Sequence, residues 1–205
     1  MSSPSDRRRR PGRPRGSSTL SATSPREEIL GHASRLFSTQ GVGATTMADI
    51  ARAVGVTPAA VRYHFASLER IIDALLDYVI EETDAFHVTA DEVSSADRRL
   101  HDLLARHVEH LTSTPYDLWF VVGISVAAAE QHQGFLQHTR AWRHALGMIV
   151  EDGRRAGIFA EIDADLAVAA LSGLVYSALR EHHSGRRIDP ETFAGLGVRA
   201  LSTGG

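Results

Sequence analysis

The sequence reads as an all-α protein, with an N-terminal three-helix helix-turn-helix domain and a larger C-terminal helical domain. Three observations carry that reading. Apolar residues recur at helical spacing, most cleanly at Met47, Ile50, Ala51 and Val54, which places four apolar groups on one face of a helix. Helix start signals recur down the chain, at Ser24-Pro25 with Glu27, Thr46 with Asp49, Thr57-Pro58, Thr114-Pro115 with Asp117, Asp163 with Asp165, and Asp189-Pro190-Glu191. The apolar/polar alternation of a half-buried strand appears nowhere, so no parallel sheet with its nucleotide sites is expected.

Composition sets the outer limits. A chain of 205 residues with 43% apolar content suffices for one large or two small domains around a sizeable core. It holds no cysteine, which excludes disulfides and thiolate metal sites. The arginine-rich N-terminus lacks the apolar stretch of a signal peptide. The longest uncharged apolar run, Leu118 to Ala129, is shorter than the ~20 residues a bilayer-spanning helix needs, so no membrane partner is expected and the expected location is the cytoplasm, at the nucleoid. The formal net charge of −3 hides a division: residues 1–70 hold 11 Arg against 5 acids, and residues 71–205 hold 11 Arg against 20 acids. The basic third contains the helix-turn-helix, a distribution that favours binding a polyanion by counterion release.

In chain order, residues 1–23 are rich in Ser, Pro and Arg with almost no bulky apolar side chain, and are expected to be a disordered basic arm when free. Within it Arg7, Arg8, Arg9, Arg10, Arg13 and Arg15 surround Gly12-Arg13-Pro14, a core that resembles an AT-hook. Two readings stand side by side here. The arm lies in the narrow minor groove of A·T-rich DNA, or it is a plain basic tail that adds sequence-independent affinity. The domain expected over residues 24–70 begins with a helix whose inner stripe is Ile29, Leu30, Ala33, Leu36 and Phe37. A second helix is capped by Thr46 and stopped by Gly55, past which Val56 is expected to drop into the core. Thr57 caps a third helix with Pro58 in its first position. Ala59 and Ala60 are small enough to let this helix approach a partner closely, while Arg62, Tyr63 and His64 carry donors suited to phosphates and base edges. That is the layout of a recognition helix, and an ordinary helical hairpin with solvated polar groups is the plain alternative. A fourth helix opens at Ser67 with an apolar stripe of Leu68, Ile71, Ile72, Leu75, Leu76, Val79 and Ile80.

The stretch GVGATTMADIARAVGVTPAAVRYHFASLERII, preceded by REEILGHASRLFSTQ, resembles the DNA-binding domain of TetR-family transcriptional regulators. Phe37 and Gly41 match the end of that family's first helix. Ile50, Ala51, Gly55 and Val56 match its second, and Thr57, Tyr63, His64, Phe65 and Ser67 match the recognition helix and its exit. Many members carry a lysine directly after that serine, where it meets a phosphate; this chain has Leu68, leaving Arg70 or the arm as substitutes. The resemblance implies that Thr46 and Thr57 cap and touch phosphates, that Arg62, Pro58 and Ala59 meet bases, and that Tyr63 and His64 contact the backbone of double-stranded DNA.

Residues 71–205 are expected to form a helical ligand-binding and dimerisation domain. Leu118 to Ala129 is expected to be its central helix. Leu166 to Leu179 is apolar or small on several sides and must be covered by something. The resemblance implies a homodimer interface of two helices per subunit, through Leu166, Ala170, Gly173, Leu174, Ser177, Phe193 and Leu196; packing within the chain is the alternative. Dimerisation also follows from recognition, because one short helix reads few base pairs and a two-fold pair reads a palindrome. The family's body commonly holds a small-molecule effector. Candidates for its pocket are Phe86, Leu103, His107, Trp119, Phe120, Trp142, Met148 and Tyr176, with plain core packing as the competing role for each.

The 11 histidines include no H-E-x-x-H arrangement, and neither a metal site nor any cofactor is expected. No Ser/His/Asp context or Gly-rich phosphate loop supports an enzyme. The sequence therefore points to a sequence-specific, ligand-responsive dimeric regulator. A sequence-tolerant architectural DNA binder driven by the arginine arm is the runner-up.

Overall fold

The computed structural model describes residues 24–80, 94–124 and 131–203. Phe86 and the six arm arginines lie outside the described residues. The described chain is helical throughout: α1 (Pro25–Gln40), a 3₁₀ turn (Val42–Ala44), α2 (Met47–Val54), α3 (Pro58–His64), α4 (Leu68–Ile80), α5 (Ala96–Ser113), a second 3₁₀ turn (Trp119–Gly123), α6 (Gln133–Arg155), α7 (Ala164–His183) and α8 (Pro190–Leu201).

Local chemistry sets the boundaries in the N-terminal part. Ser24 Oγ accepts the Glu27 N–H at 3.2 Å while the Ser24 N–H donates to Glu27 Oε2 at 2.7 Å, closing a capping box on α1. Thr46 and Asp49 close the same box on α2. Gly55 ends α2 in the left-handed conformation, φ 82°, which costs a glycine nothing. Val56 does not fold inward as the sequence suggests; it is 42% exposed. Gly55 and the Thr57 cap fix the backbone on either side of it, and the three-residue turn leaves Val56 on the outside of the bend. The head core is then Ile29, Leu30, Ala33 and Phe37 of α1, Ile50 and Ala51 of α2, Val61 of α3, and Phe65, all buried against Ile71, Ile72 and Leu75 of α4.

Helix α4 belongs to both halves, packing on α1 at one end and on α6 at the other. Polar ties hold it to the body, among them two to histidines and the Tyr78 hydroxyl meeting that of Tyr116 at 3.3 Å. Asp73 bonds His132 Nδ1 at 2.6 Å just before α6, and the Tyr78 carbonyl meets His110 Nε2 of α5. In the body α5 lies along α8, and Gly197 makes that approach possible: a Cβ there would sit 2.5 Å from Leu104 Cδ1. Helices α6 and α7 pack side by side, and the loop between them is tied to the end of α8 by Ala160 N–H donating to the Leu201 carbonyl at 2.8 Å.

The central helix expected over Leu118 to Ala129 is not found in its described part, which is the short 3₁₀ turn Trp119–Gly123; residues 125–129 lie outside the described residues. The helix start expected at Thr114-Pro115 fails with it. The cause is tertiary. The N–H of Asp117 donates to Ser34 Oγ at 3.2 Å, that of Trp119 to Asp117 Oδ1 at 3.1 Å, and that of Phe120 to Ser38 Oγ at 3.1 Å. Those bonds tether the segment to α1, and the β-branched and glycine residues that follow, Val121, Val122, Gly123 and Ile124, have low helix propensity.

Candidate nucleic-acid interface and effector cavity

Helix α3 is built to be read from outside. Of its seven residues only Val61 is buried; Pro58, Ala59, Ala60, Arg62, Tyr63 and His64 are exposed. A short helix anchored by one side chain, with Tyr63 86% exposed, leaves a large aromatic surface in water for a partner to cover. The Tyr63 and His64 rings meet edge to face at 5.2 Å, which presents two donors side by side. The two threonines differ. Thr46 Oγ1 accepts the Asp49 N–H and gives its own proton to Asp49 Oδ2 at 2.6 Å, and that bond, followed by the Arg52 guanidinium, holds the Asp49 carboxyl below its ordinary range. Thr57 Oγ1 accepts the Ala60 N–H at 3.2 Å and keeps its O–H proton to offer. Arg52 is tied to Asp49 at 2.8 Å, whereas Arg70 is 72% exposed with a looser 3.4 Å contact to Asp73. Arg26 lies over the Phe65 ring at 4.8 Å, adding a cation beside the exit of α3.

The body holds a partly open cavity walled by α4 (Val79), α5 (His107), the second 3₁₀ turn (Val121), α6 (His138, Trp142) and α7 (Tyr176, at its outer rim). It has about 50 Å³ of room for water-sized spheres, roughly three or four waters. His107 stacks on Trp142 at 4.8 Å and faces His138 at 6.2 Å. Burial first, then the neighbouring His107 and His110, pushes the His138 imidazole down to about 4. Of the candidates read from sequence, His107, Trp142 and Tyr176 meet on this cavity. Leu103 is buried in the core away from it, and Phe120 packs on Phe37 at 5.5 Å. Trp119 stacks on His183 at 6.0 Å, and Met148 stands 56% exposed on a surface groove between α6 and α7. Val79, Phe135, Thr139 and Ser172 also line the cavity and were not among the candidates.

A polar latch ties the N-terminal domain to the end of α7. Ser38 Oγ donates to the Asp117 carbonyl at 3.3 Å, and Asp117 Oδ2 bonds His183 Nδ1 at 2.7 Å. Helix α7 otherwise shows an outer face of Leu166, Ala169, Ala170, Gly173 and Tyr176, all exposed, flanked by half-buried Leu174 and Ser177. Exposed Leu196 and half-buried Phe193 on α8 continue it. Among the described residues no group of three potential ligands converges on a metal position, and no helix is long and apolar enough to cross a membrane.

A three-helix head offering one exposed helix, carried on a helical body with a cavity, is the architecture of a DNA-binding transcriptional regulator. Residues 29–75 match the family model for bacterial regulatory proteins of the tetR family. It is 27% identical over 196 residues to the HTH-type transcriptional repressor KstR2 of Rhodococcus jostii, covering 88% of this chain and 91% of that one. Over 63 residues, 31% of this chain and 30% of the other, it is 41% identical to the HTH-type transcriptional regulator TtgR of Pseudomonas putida. Among solved structures it resembles AmtR of Mycobacterium smegmatis, with a TM-score of 0.74 and 25% identity over 94% of this chain and 91% of that chain.

Proposed function

We propose that the chain represses transcription as a homodimer, in the cytoplasm at the nucleoid, by placing two copies of α3 in successive major grooves of a palindromic operator. The observation that carries this reading is α3 itself, a helix with one buried residue and six exposed ones, three of which, Arg62, Tyr63 and His64, bear donors that suit DNA. In it Arg62 reads a base, Pro58 and Ala59 meet thymine methyls, and Tyr63, His64 and the Thr57 hydroxyl contact phosphates. Thr46 acts chiefly as the cap that holds α2 in place. The arm of residues 1–23 adds electrostatic affinity, and the acidic body stays clear of the duplex. No enzymatic role is assigned.

The outer face of α7 and α8 supports the dimer. Leu166, Tyr176 and Leu196 are 60%, 43% and 45% exposed, and Gly173 has no heavy atom within 4 Å of the position a Cβ would take, so a partner helix can approach there. The cavity supports the effector. A molecule larger than a few waters must widen it, and widening pushes Val79 on α4, the helix that carries the head. The effector then favours a different spacing of the two heads, to the extent that it binds the widened state better.

The test is a mobility-shift series with the Arg62→Ala variant on an operator and its single-base variants. Base reading predicts that discrimination at one position of each half-site falls by about 1–3 kcal/mol. An equal loss on every sequence assigns Arg62 to phosphate and removes it from specificity.

A further inference from the structure

The chemistry of the cavity walls narrows what the effector can be. Leu111, Leu118, Phe135, Val175 and Leu179 supply most of the surface, and the polar groups among the described lining residues are His107, His138, Thr139, Ser172, Tyr176 and the Trp142 indole. None of the lining residues is an arginine, and the chain has no lysine. The two internal stretches outside the described residues, 81–93 and 125–130, contain no arginine either. A carboxylate or phosphate entering this space therefore meets no fixed positive charge and loses its hydration without compensation, which is costly in an apolar site. Trp142 lies on the wall and carries a buried donor. Trp142 is 6% exposed, and its Nε1–H is buried with no acceptor among the described residues. An indole N–H can only donate, and a buried donor left unsatisfied asks for a partner that the described residues do not supply. The stacked Trp142 and His107 rings, with Phe135 and Tyr176, form flat surfaces that suit a ring or another planar group.

We propose that the cavity takes an uncharged, mainly apolar small molecule whose carbonyl or ether oxygen accepts the Trp142 Nε1–H. This rests on the cavity being the effector site. The Thr139 and Ser172 hydroxyls are committed to backbone carbonyls, at 3.0 Å to Phe135 and 2.7 Å to Val168, so they offer an incoming ligand oxygen no proton without first breaking those bonds. Specificity for an acceptor then falls to the indole and to the Tyr176 hydroxyl, and Trp142→Phe separates the two.

The test uses four matched probes: acetophenone, neutral with an acceptor; ethylbenzene, neutral without one; benzoate, an anion; and benzylamine, a cation. Each is titrated into the ¹⁵N-labelled full chain while the indole N–H signals are followed by NMR. The chain has only two tryptophans, and Trp119→Phe assigns them. Acetophenone is expected to move the Trp142 indole proton downfield in a saturable way and to bind about fivefold more tightly than ethylbenzene, the worth of one net hydrogen bond. Benzoate and benzylamine are expected to bind at least tenfold more weakly than acetophenone. In Trp142→Phe, ligand-observed saturation transfer should show acetophenone reduced to the affinity of ethylbenzene while ethylbenzene is unchanged. Benzoate or benzylamine binding as well as acetophenone, or acetophenone binding without the downfield shift, overturns the proposed ligand class but leaves the cavity as the effector site. If none of the four perturbs Trp142, the effector-site reading falls and the proposal falls with it.

Discussion

Replacing His138 with glutamine is expected to flatten the pH dependence of stability. The side chain is 4% exposed in the wall of the body cavity, and burial together with His107 and His110 pushes its imidazole from 6.5 down to about 4. In the unfolded chain His138 takes up a proton as the pH falls through 6.5; in the folded chain it cannot do so until the pH approaches 4. The unfolded state therefore binds more protons across that window, and stability that is complete above 6.5 is lost progressively as the pH falls toward 4. Between pH 7 and pH 5 the loss from this one group is about 2 kcal/mol, a sizeable part of the ~5–15 kcal/mol that holds a typical domain folded. Urea unfolding followed by far-UV circular dichroism measures it, at fixed protein concentration and ionic strength, for wild type and His138→Gln at pH 7, 6 and 5. Other histidines and carboxylates titrate in both proteins, so the informative quantity is the difference between the two curves. Wild type should lose about 2 kcal/mol more than the variant on going from pH 7 to pH 5. Parallel curves would refute the reasoning and put a protonated, compensated His138 in the cavity wall.

Two further perturbations probe the dimer face and the body core. Ala170→Arg places a charge on the exposed face of α7 and is expected to give a monomer by sedimentation equilibrium with unchanged helix content; a retained dimer would move the interface off α7 and α8. Gly153→Ala puts a Cβ 2.1 Å from Phe159 Cδ2, so the ring that ties the α6–α7 loop to the core must shift. A loss of about 1–3 kcal/mol by chemical denaturation is expected, and an unchanged midpoint would show that the loop repacks freely.

What the sequence disclosed and what it withheld divide along one physical line. The boundaries of α1, α2 and α3 were legible because their determinants are local: Ser24 with Glu27, Thr46 with Asp49, Gly55, and Thr57 with Pro58 each act within four residues. The exposed side of α3 was legible for the same reason, since one buried Val61 among small and polar neighbours is a pattern of sequence. Leu118 to Gly123 was misread because its packing is set by tethers from Ser34 and Ser38, about eighty residues earlier, and no local pattern announces that. The cavity was half legible. His107, Trp142 and Tyr176 carry the mix of flat apolar surface and polar tip that marks such walls, whereas Val79 and Ser172 reach it only through the packing of α4 and α7 around α6. Met148 shows the converse: a methionine at helical spacing reads as a cavity residue until the α6–α7 contact turns it outward. The Asp117–His183 latch left no trace in the sequence, because its partners are 66 residues apart and Asp117 reads there as part of a helix start signal.

The central claim is that α3 gives a two-fold dimer its sequence preference, with the arginine arm adding affinity rather than specificity. Selection of bound duplexes from a random DNA pool tests it most directly, using purified protein at near-physiological salt, with and without residues 1–16. The account predicts a palindromic motif that survives deletion of the arm, with weaker binding and a shallower dependence of log K on log salt. Enrichment of A·T content without a palindrome, lost when the arm is removed, would contradict it and leave the arm as the principal DNA-binding element.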